Sequence, residues 1–198
     1  MTGDLIQIVD CLTADEVNKV LEGLSSREWF PTTIFTQGAE CGVNEEIRNN
    51  SRVCLVDSDP LAELMHIGMN AALIKYRDAM YDISPQYQRY PVPASPHTNC
   101  FREQIQVLKY EPGQHYTWHH DQASEPSVKE HNRTISVVLY LQNADEGGRT
   151  VFPHRAYTPK AGQALIFPSN WCFPHKGEEV ISGTKIAAVT WYHSYPQN

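Results

Sequence analysis

The period of the apolar positions changes partway along this chain. "LIQIVD" near the N-terminus alternates and reads as a short strand. The next segment, "CLTADEVNKVLEGL", sets Val17, Val20, Leu21 and Leu24 on one helical stripe, and Thr13 with Glu16 supplies a capping box ahead of them. A second helix is announced by Asp59 as N-cap and Pro60 in the first helical position. It runs through Leu61, Leu64, Met65, Gly68 and Ala72 to Tyr76 or beyond. Between the helices, "SRVCLVD" is expected as a strand. From Tyr81 to Cys100 the prolines Pro85, Pro91, Pro93 and Pro96 fix φ and remove backbone donors, so a long loop is expected there, suited to act as a lid. After it every periodic segment is short and strand-like: "EQIQVLKY", "TISVVLYLQ", "TVFP", "GQALIFP" and "TKIAAVTWYHSY". Helices followed by a run of strands imply an α+β, mainly β fold, a sandwich or barrel with helices on one side. No repeat or boundary interrupts it, so residues 1–198 are expected to form a single domain.

Composition removes several classes of function. A chain of 198 residues with 41% hydrophobic and 20% charged residues can bury an ordinary core without staples. Its formal charge of −7, with 16 basic residues against 23 acidic ones, argues against nucleic-acid or anionic membrane partners. Five scattered cysteines without a CxxC suggest reduced thiols rather than a disulfide framework or a zinc ribbon. "MTGDLIQIVDC" has no basic segment ahead of an apolar one, and no window reaches the roughly 18 apolar residues of a membrane span, so a cytoplasmic protein is expected.

Candidate chemistry concentrates in "YEPGQHYTWHHDQ". On a strand, residues i and i+2 share a face, so His119 and Asp121 can converge on one metal while His120 points away. Two histidines and one carboxylate with open positions suit non-haem iron(II), although the same ligands can hold a catalytic zinc. Two later histidines compete for the third place, His154 and His175, each ending a "FPH" tripeptide. His175 lies ten residues before Lys185, which opens a strand with Lys185, Ala187, Val189, Trp191 and His193 on one face. A lysine leading an apolar inward face needs a partner, and a carboxylate of a bound ligand would serve.

With these residues in view, the C-terminal half resembles the iron(II)- and 2-oxoglutarate-dependent dioxygenases of the prolyl 4-hydroxylase type. The family pattern Tyr-x-x-Gly-x-x-Tyr-x-x-His-x-Asp is met by Tyr110, Gly113, Tyr116, His119 and Asp121. "RTISVVLYLQ", "GGRTVFP", "GQALIF" and the pair His175 and Lys185 follow in the family's order, across residues 105–193. The N-terminal half resembles it only loosely, in "VDCLTADEV" and in "IRNNS" around Arg48. Gln142 departs from an asparagine common in the family, and the span from Asp121 to Arg133 is short.

The resemblance implies a distorted double-stranded β-helix, a jelly-roll barrel core with supporting N-terminal helices. It implies iron(II) held by His119, Asp121 and His175, with 2-oxoglutarate on the metal, its distal carboxylate paired with Lys185 and Tyr110 as a hydrogen-bonding neighbour. O2 would be consumed, succinate and CO2 released, and ascorbate would support turnover. Arg133, Trp191, His193 and Arg48 would approach the substrate, a prolyl residue in a peptide or protein gripped under the loop by Tyr87 and Tyr90. His115 and His120 would be bystanders. Two other readings compete: nucleic-acid demethylation on the same iron chemistry, which the charge disfavours, and a non-catalytic peptide-binding barrel.

Overall fold

The computed structural model describes residues 5–35, 41–83, 100–122 and 133–194. The first part of the chain contains β1 (Gln7–Asp10), α1 (Ala14–Leu24), β2 (Phe30–Pro31), β3 (Ile34–Phe35), β4 (Cys41–Gly42), β5 (Arg48–Asn49), β6 (Ser51–Leu55) and α2 (Pro60–Ile83). β7 (Cys100–Arg102), β8 (Ile105–Tyr110), β9 (His115–His119), β10 (Arg133–Gln142), β11 (Glu146–Gly147) and β12 (Thr150–Phe152) follow. The chain closes with β13 (Arg155–Tyr157), β14 (Gln163–Pro168), β15 (His175–Gly177), β16 (Val180–Ser182) and β17 (Lys185–Ser194). A large antiparallel sheet runs β1-β14-β10-β17-β8-β6-β2, with β7 also on β17. A five-stranded sheet in the order β13-β12-β15-β9-β5 accompanies it.

Two-residue alternation decides what each face of the large sheet does. Val53, Val107, Val137, Leu139, Ile166 and Ala188 form one face and join the helices in the main core. α1 contributes Val20 and Leu24, and α2 contributes Met65, Met69, Leu73, Tyr76 and Met80, all fully or almost fully buried. Side chains of this size contribute roughly 1.5–3 kcal/mol each on burial, so the helices are fastened by their stripes rather than by propensity. The opposite face carries Leu108, Tyr110, Val189 and Trp191 and looks away from the helices.

Both helix starts follow the sequence signals. Thr13 and Glu16 form the reciprocal capping box, and the Asp59 carboxylate accepts the Leu61 amide at 2.9 Å. The loop expected from Tyr81 starts later, because α2 continues to Ile83. Met80 explains this: four residues after Tyr76, it lands on the same buried stripe and draws the last turn onto the core. At the other end Cys100 already belongs to β7. Tyr87, Tyr90 and the expected lid lie outside the described residues. A second difference concerns Asp121, which does not share a strand with His119; β9 ends at His119.

Gly147 shows how tightly the turn beside the cavity is drawn. Its φ of +78° is in the left-handed region, and a Cβ there would stand 2.2 Å from the Glu179 carbonyl oxygen. Only glycine lets β11 close against β16 here.

Candidate active site

The open face of the large sheet and the five-stranded sheet line a cavity of about 380 Å³. In the smaller sheet, β15 pairs with β9 so that His175 stands opposite His119. Their rings lie 4.3 Å apart between centroids. Asp121 follows two residues after His119, and its carboxylate oxygens reach within 3.6 Å of His119 Nε2 and 3.7 Å of His175 Nε2. One ligand atom from each residue falls within 4.8 Å of the others, a grouping able to hold a metal ion.

The hydrogen bonds behind these side chains choose the atoms that face inward. His119 Nδ1 lies 2.8 Å from the Thr117 carbonyl and His175 Nδ1 3.1 Å from the Phe173 carbonyl. A carbonyl can only accept, so each Nδ1 carries a proton and each Nε2 faces inward. Burial and the neighbouring His175 push His119 down to about 4, so it is neutral near neutral pH. Burial by itself would raise the Asp121 carboxyl. His175, His119, and hydrogen bonds from Ser136 and the Trp191 indole outweigh it and hold the carboxyl at about 2. Neutral imidazole beside an ionised carboxylate is the form that binds a divalent metal.

Asp121 is held from several directions. Ser136 Oγ lies 2.7 Å from Asp121 Oδ2 and 2.8 Å from Ser169 Oγ, and both serines are buried. Arg133 reaches the Asp121 carbonyl at 3.3 Å and lays its guanidinium 3.6 Å over the Trp191 ring. Glu103 grips Arg133 at 2.6 and 2.8 Å and accepts from His193 Nε2 at 2.7 Å. The supports Ser136, Ser169 and Glu103 were not singled out from the sequence. The inward alternation of "RTISVVLYLQ" places Ser136 on the Val138 and Tyr140 face and was the one available signal.

Lys185 lines the same cavity. Directly opposite Tyr110 in the ladder and only 5% exposed, it donates to the Gly148 carbonyl at 2.7 Å. Its ammonium sits 5.4 Å from the Tyr110 ring and 4.9 Å from that of Tyr140, which is hydrogen-bonded to Thr150. No carboxylate among the described residues forms a salt bridge with it. Burial therefore pushes it down to about 8, with Glu178 only partly opposing. A buried cation with a free side toward the cavity fits a ligand carboxylate.

The remaining sequence-derived positions divide. Arg48, Arg133 and Trp191 line the cavity, and Arg48 lies 4.6 Å over the ring of Tyr116, which stacks on His119 at 3.6 Å. His193 is not among the lining residues and instead fixes Glu103. His120, expected as a bystander pointing away, is exposed and lines the cavity, because the chain leaves the strand there. His115 sits beside the Glu46 carbonyl at 3.3 Å, and His154 is exposed after β12.

Residues 105–193 match the model of the 2OG-Fe(II) oxygenase superfamily. A putative prolyl 4-hydroxylase of Acanthamoeba polyphaga mimivirus is 37% identical over 107 residues, which is 46% of this chain and 44% of the relative. The chain thus spans less than half the length of that protein. The viral collagen prolyl hydroxylase of Paramecium Bursaria Chlorella virus-1, in its 2OG complex, superposes with a TM-score of 0.65 at 20% identity, covering 96% of this chain and 97% of that one. A Pseudomonas putida prolyl-4-hydroxylase gives a TM-score of 0.66 at 19% identity, covering 96% and 92%. At these identities the structural likeness establishes the fold, a double-stranded β-helix.

Proposed function

We propose that this chain, whose residues 105–193 match the model of the 2OG-Fe(II) oxygenase superfamily, is an iron(II)- and 2-oxoglutarate-dependent dioxygenase that hydroxylates a prolyl residue in a peptide or protein. One observation carries the reading. A histidine–aspartate–histidine cluster able to hold a metal ion and a buried lysine with no salt bridge among the described residues open into the same cavity. When bound, iron(II), 2-oxoglutarate and O2 supply the oxidation, with one oxygen entering the substrate as hydroxyl while succinate and CO2 leave.

The protein's own residues set the geometry. His119, Asp121 and His175 would hold the metal through Nε2, a carboxylate oxygen and Nε2. Ser136 and Trp191 keep Asp121 ionised and aimed. Lys185 would pair with the distal carboxylate of 2-oxoglutarate beside Tyr110. Leu108, Ala187 and Val189 add apolar side chains to the cavity lining. Trp191, stacked under Arg133 on the cavity lining, would face the substrate, an extended prolyl segment that costs little entropy to order.

The test incubates a Pro-containing peptide, free proline and a methylated oligonucleotide with iron(II), 2-oxoglutarate and ascorbate as supporting reductant. Mass spectrometry and succinate release are followed for each. A one-oxygen gain on peptidyl proline, matched by succinate, is expected. Coupled oxidation of the oligonucleotide alone would refute the prolyl reading.

A further inference from the structure

The charges lining the cavity do not balance. Arg48, Arg52, Arg133 and Lys185 face one carboxylate, Asp121, in a chain whose formal charge is −7. Two of the four cations already have assignments. Arg133 is neutralised by the paired grip of Glu103, and Lys185 suits the cosubstrate. Arg48 and Arg52 are left, and neither forms a salt bridge with a carboxylate among the described residues.

These two arginines flank one corner of the fold. The chain leaves the small sheet at Asn49, passes buried Asn50, and enters the large sheet at Ser51, so Arg48 and Arg52 approach the cavity from the two sheets. Alternation along β6 sends Val53 and Leu55 into the helical core and turns Arg52 to the other face. Arg52 is the ladder partner of Leu108, and Leu108 in turn faces Ala187. It donates to Thr33 Oγ at 3.1 Å, which spends one of its five donors. Arg48 Nε is buried with no hydrogen-bond partner, and Gln106 Oε1, on the same wall, is likewise buried and unbonded. A guanidinium group without a carboxylate partner at a concave wall is stabilised when a ligand brings an anion to it.

We propose that Arg52, steadied by Thr33 and assisted by Arg48, is a specificity-determining residue that recognises an acidic side chain of the peptide substrate. The inference rests on the prolyl-hydroxylase reading and adds to it a substrate class: peptides with Asp or Glu near the target proline. Arg52 stands two strands across from Ala187. At the ~4.8 Å spacing of neighbouring strands this is about 10 Å, or roughly three residues of extended peptide.

The test uses the metal-loaded protein with 2-oxoglutarate under anaerobic conditions and measures peptide affinity without turnover. Peptides amidated at the C-terminus carry one proline and a single Glu, moved from one to four residues away on either side, against an all-Gln parent. At least one Glu position should bind about tenfold tighter than the parent, and high salt should shrink the gap. Arg52→Met should abolish that preference while leaving the parent's affinity unchanged. Arg52→Lys should restore part of it, and equal thermal midpoints would establish that both variants fold. Equal affinities across the series, failure of every peptide to bind, or a preference that survives in Arg52→Met would overturn the inference. A free-acid parent that matches the best Glu peptide would assign the pocket to a chain terminus and overturn it too. Admitting air then separates the two readings. A tightly bound Glu peptide that gains no oxygen refutes prolyl hydroxylation and leaves the acidic recognition standing.

Discussion

Replacing Lys185 with methionine keeps the length and apolar stem that pack against Tyr110 and Tyr140 and removes only the charge. In the wild type, the ammonium is buried, bonded to the Gly148 carbonyl and otherwise free to meet a ligand carboxylate. Truncating one partner of such a buried pair costs about 2–5 kcal/mol, so 2-oxoglutarate affinity should fall on the order of a hundredfold. Iron affinity should change little, since Lys185 touches none of the three metal-site side chains. The pH profile gives a sharper signature. Burial holds the free lysine at about 8, so it is mostly charged at neutral pH and mostly neutral one unit above that value. A bound carboxylate favours the ammonium and raises its pKa, so binding takes up a proton under alkaline conditions. Wild-type affinity for 2-oxoglutarate should therefore fall about tenfold between roughly pH 7 and pH 9, and the Lys185→Met affinity should be flat. Titrations of 2-oxoglutarate at fixed iron, read by metal-centred absorbance and by succinate release, measure both quantities. An affinity unchanged in Lys185→Met, or a wild-type affinity independent of pH, would show that the carboxylate binds elsewhere.

Four further outcomes follow from the same geometry. His119→Ala, Asp121→Ala and His175→Ala should each lose iron(II) and turnover with the fold retained, whereas His154→Ala and His120→Ala should keep the metal, as equilibrium dialysis and circular dichroism would report. Ser136→Ala removes a 2.7 Å donor to Asp121, and iron dissociation should quicken by about tenfold or more, the usual scale for a residue that orients a metal ligand. The metal-free protein should lose stability on acidification. His119 has an ordinary value of 6.5 and sits at about 4 when folded, so the unfolded chain takes up the proton first. His119 contributes roughly 3 kcal/mol to the loss as pH falls from 6.5 to 4, so the loss read from urea midpoints should be smaller by about that amount in His119→Gln, where buried His66, also held at about 4, still contributes. Gly147→Ala forces a side chain into a left-handed residue 2.2 Å from a carbonyl oxygen, and should cost at least about 3 kcal/mol in denaturant unfolding.

Much of this arrangement could be read from residue patterns because its causes are local. A capping box, an N1 proline and two-residue alternation each act within a few positions, and α1, α2, β8, β10, β14 and β17 lie where those signals place them. The supports of the site are different in kind. Ser136 meets Asp121 across 15 residues and Ser169 across 33, and His193 meets Glu103 across 90. Nothing in the spacing of a serine or a glutamate names a partner that the fold supplies later. The two-residue strands β2 to β5 are also too short to carry a period.

Asp121 is the informative case, since its pairing with His119 was inferred from a backbone geometry that the fold does not use. Residues i and i+2 of a continuous strand do share a face, but they stand about 6.6–6.8 Å apart along it with parallel side chains. Ligands on one ion approach it to about 2.0–2.2 Å, so their donor atoms must come much closer together than that. β9 therefore has to end at His119, where the His175 ladder also ends, and the next two residues must turn. That turn brings the Asp121 carboxylate back to 3.6 Å from His119 Nε2. Ser136, Trp191 and Arg133 on the large sheet then hold it there. The same break frees His120 from the sheet and leaves it at the cavity's edge. The His-x-Asp spacing thus works by interrupting the strand, and the contacts that stabilise the interruption are the long-range ones that local sequence does not reveal.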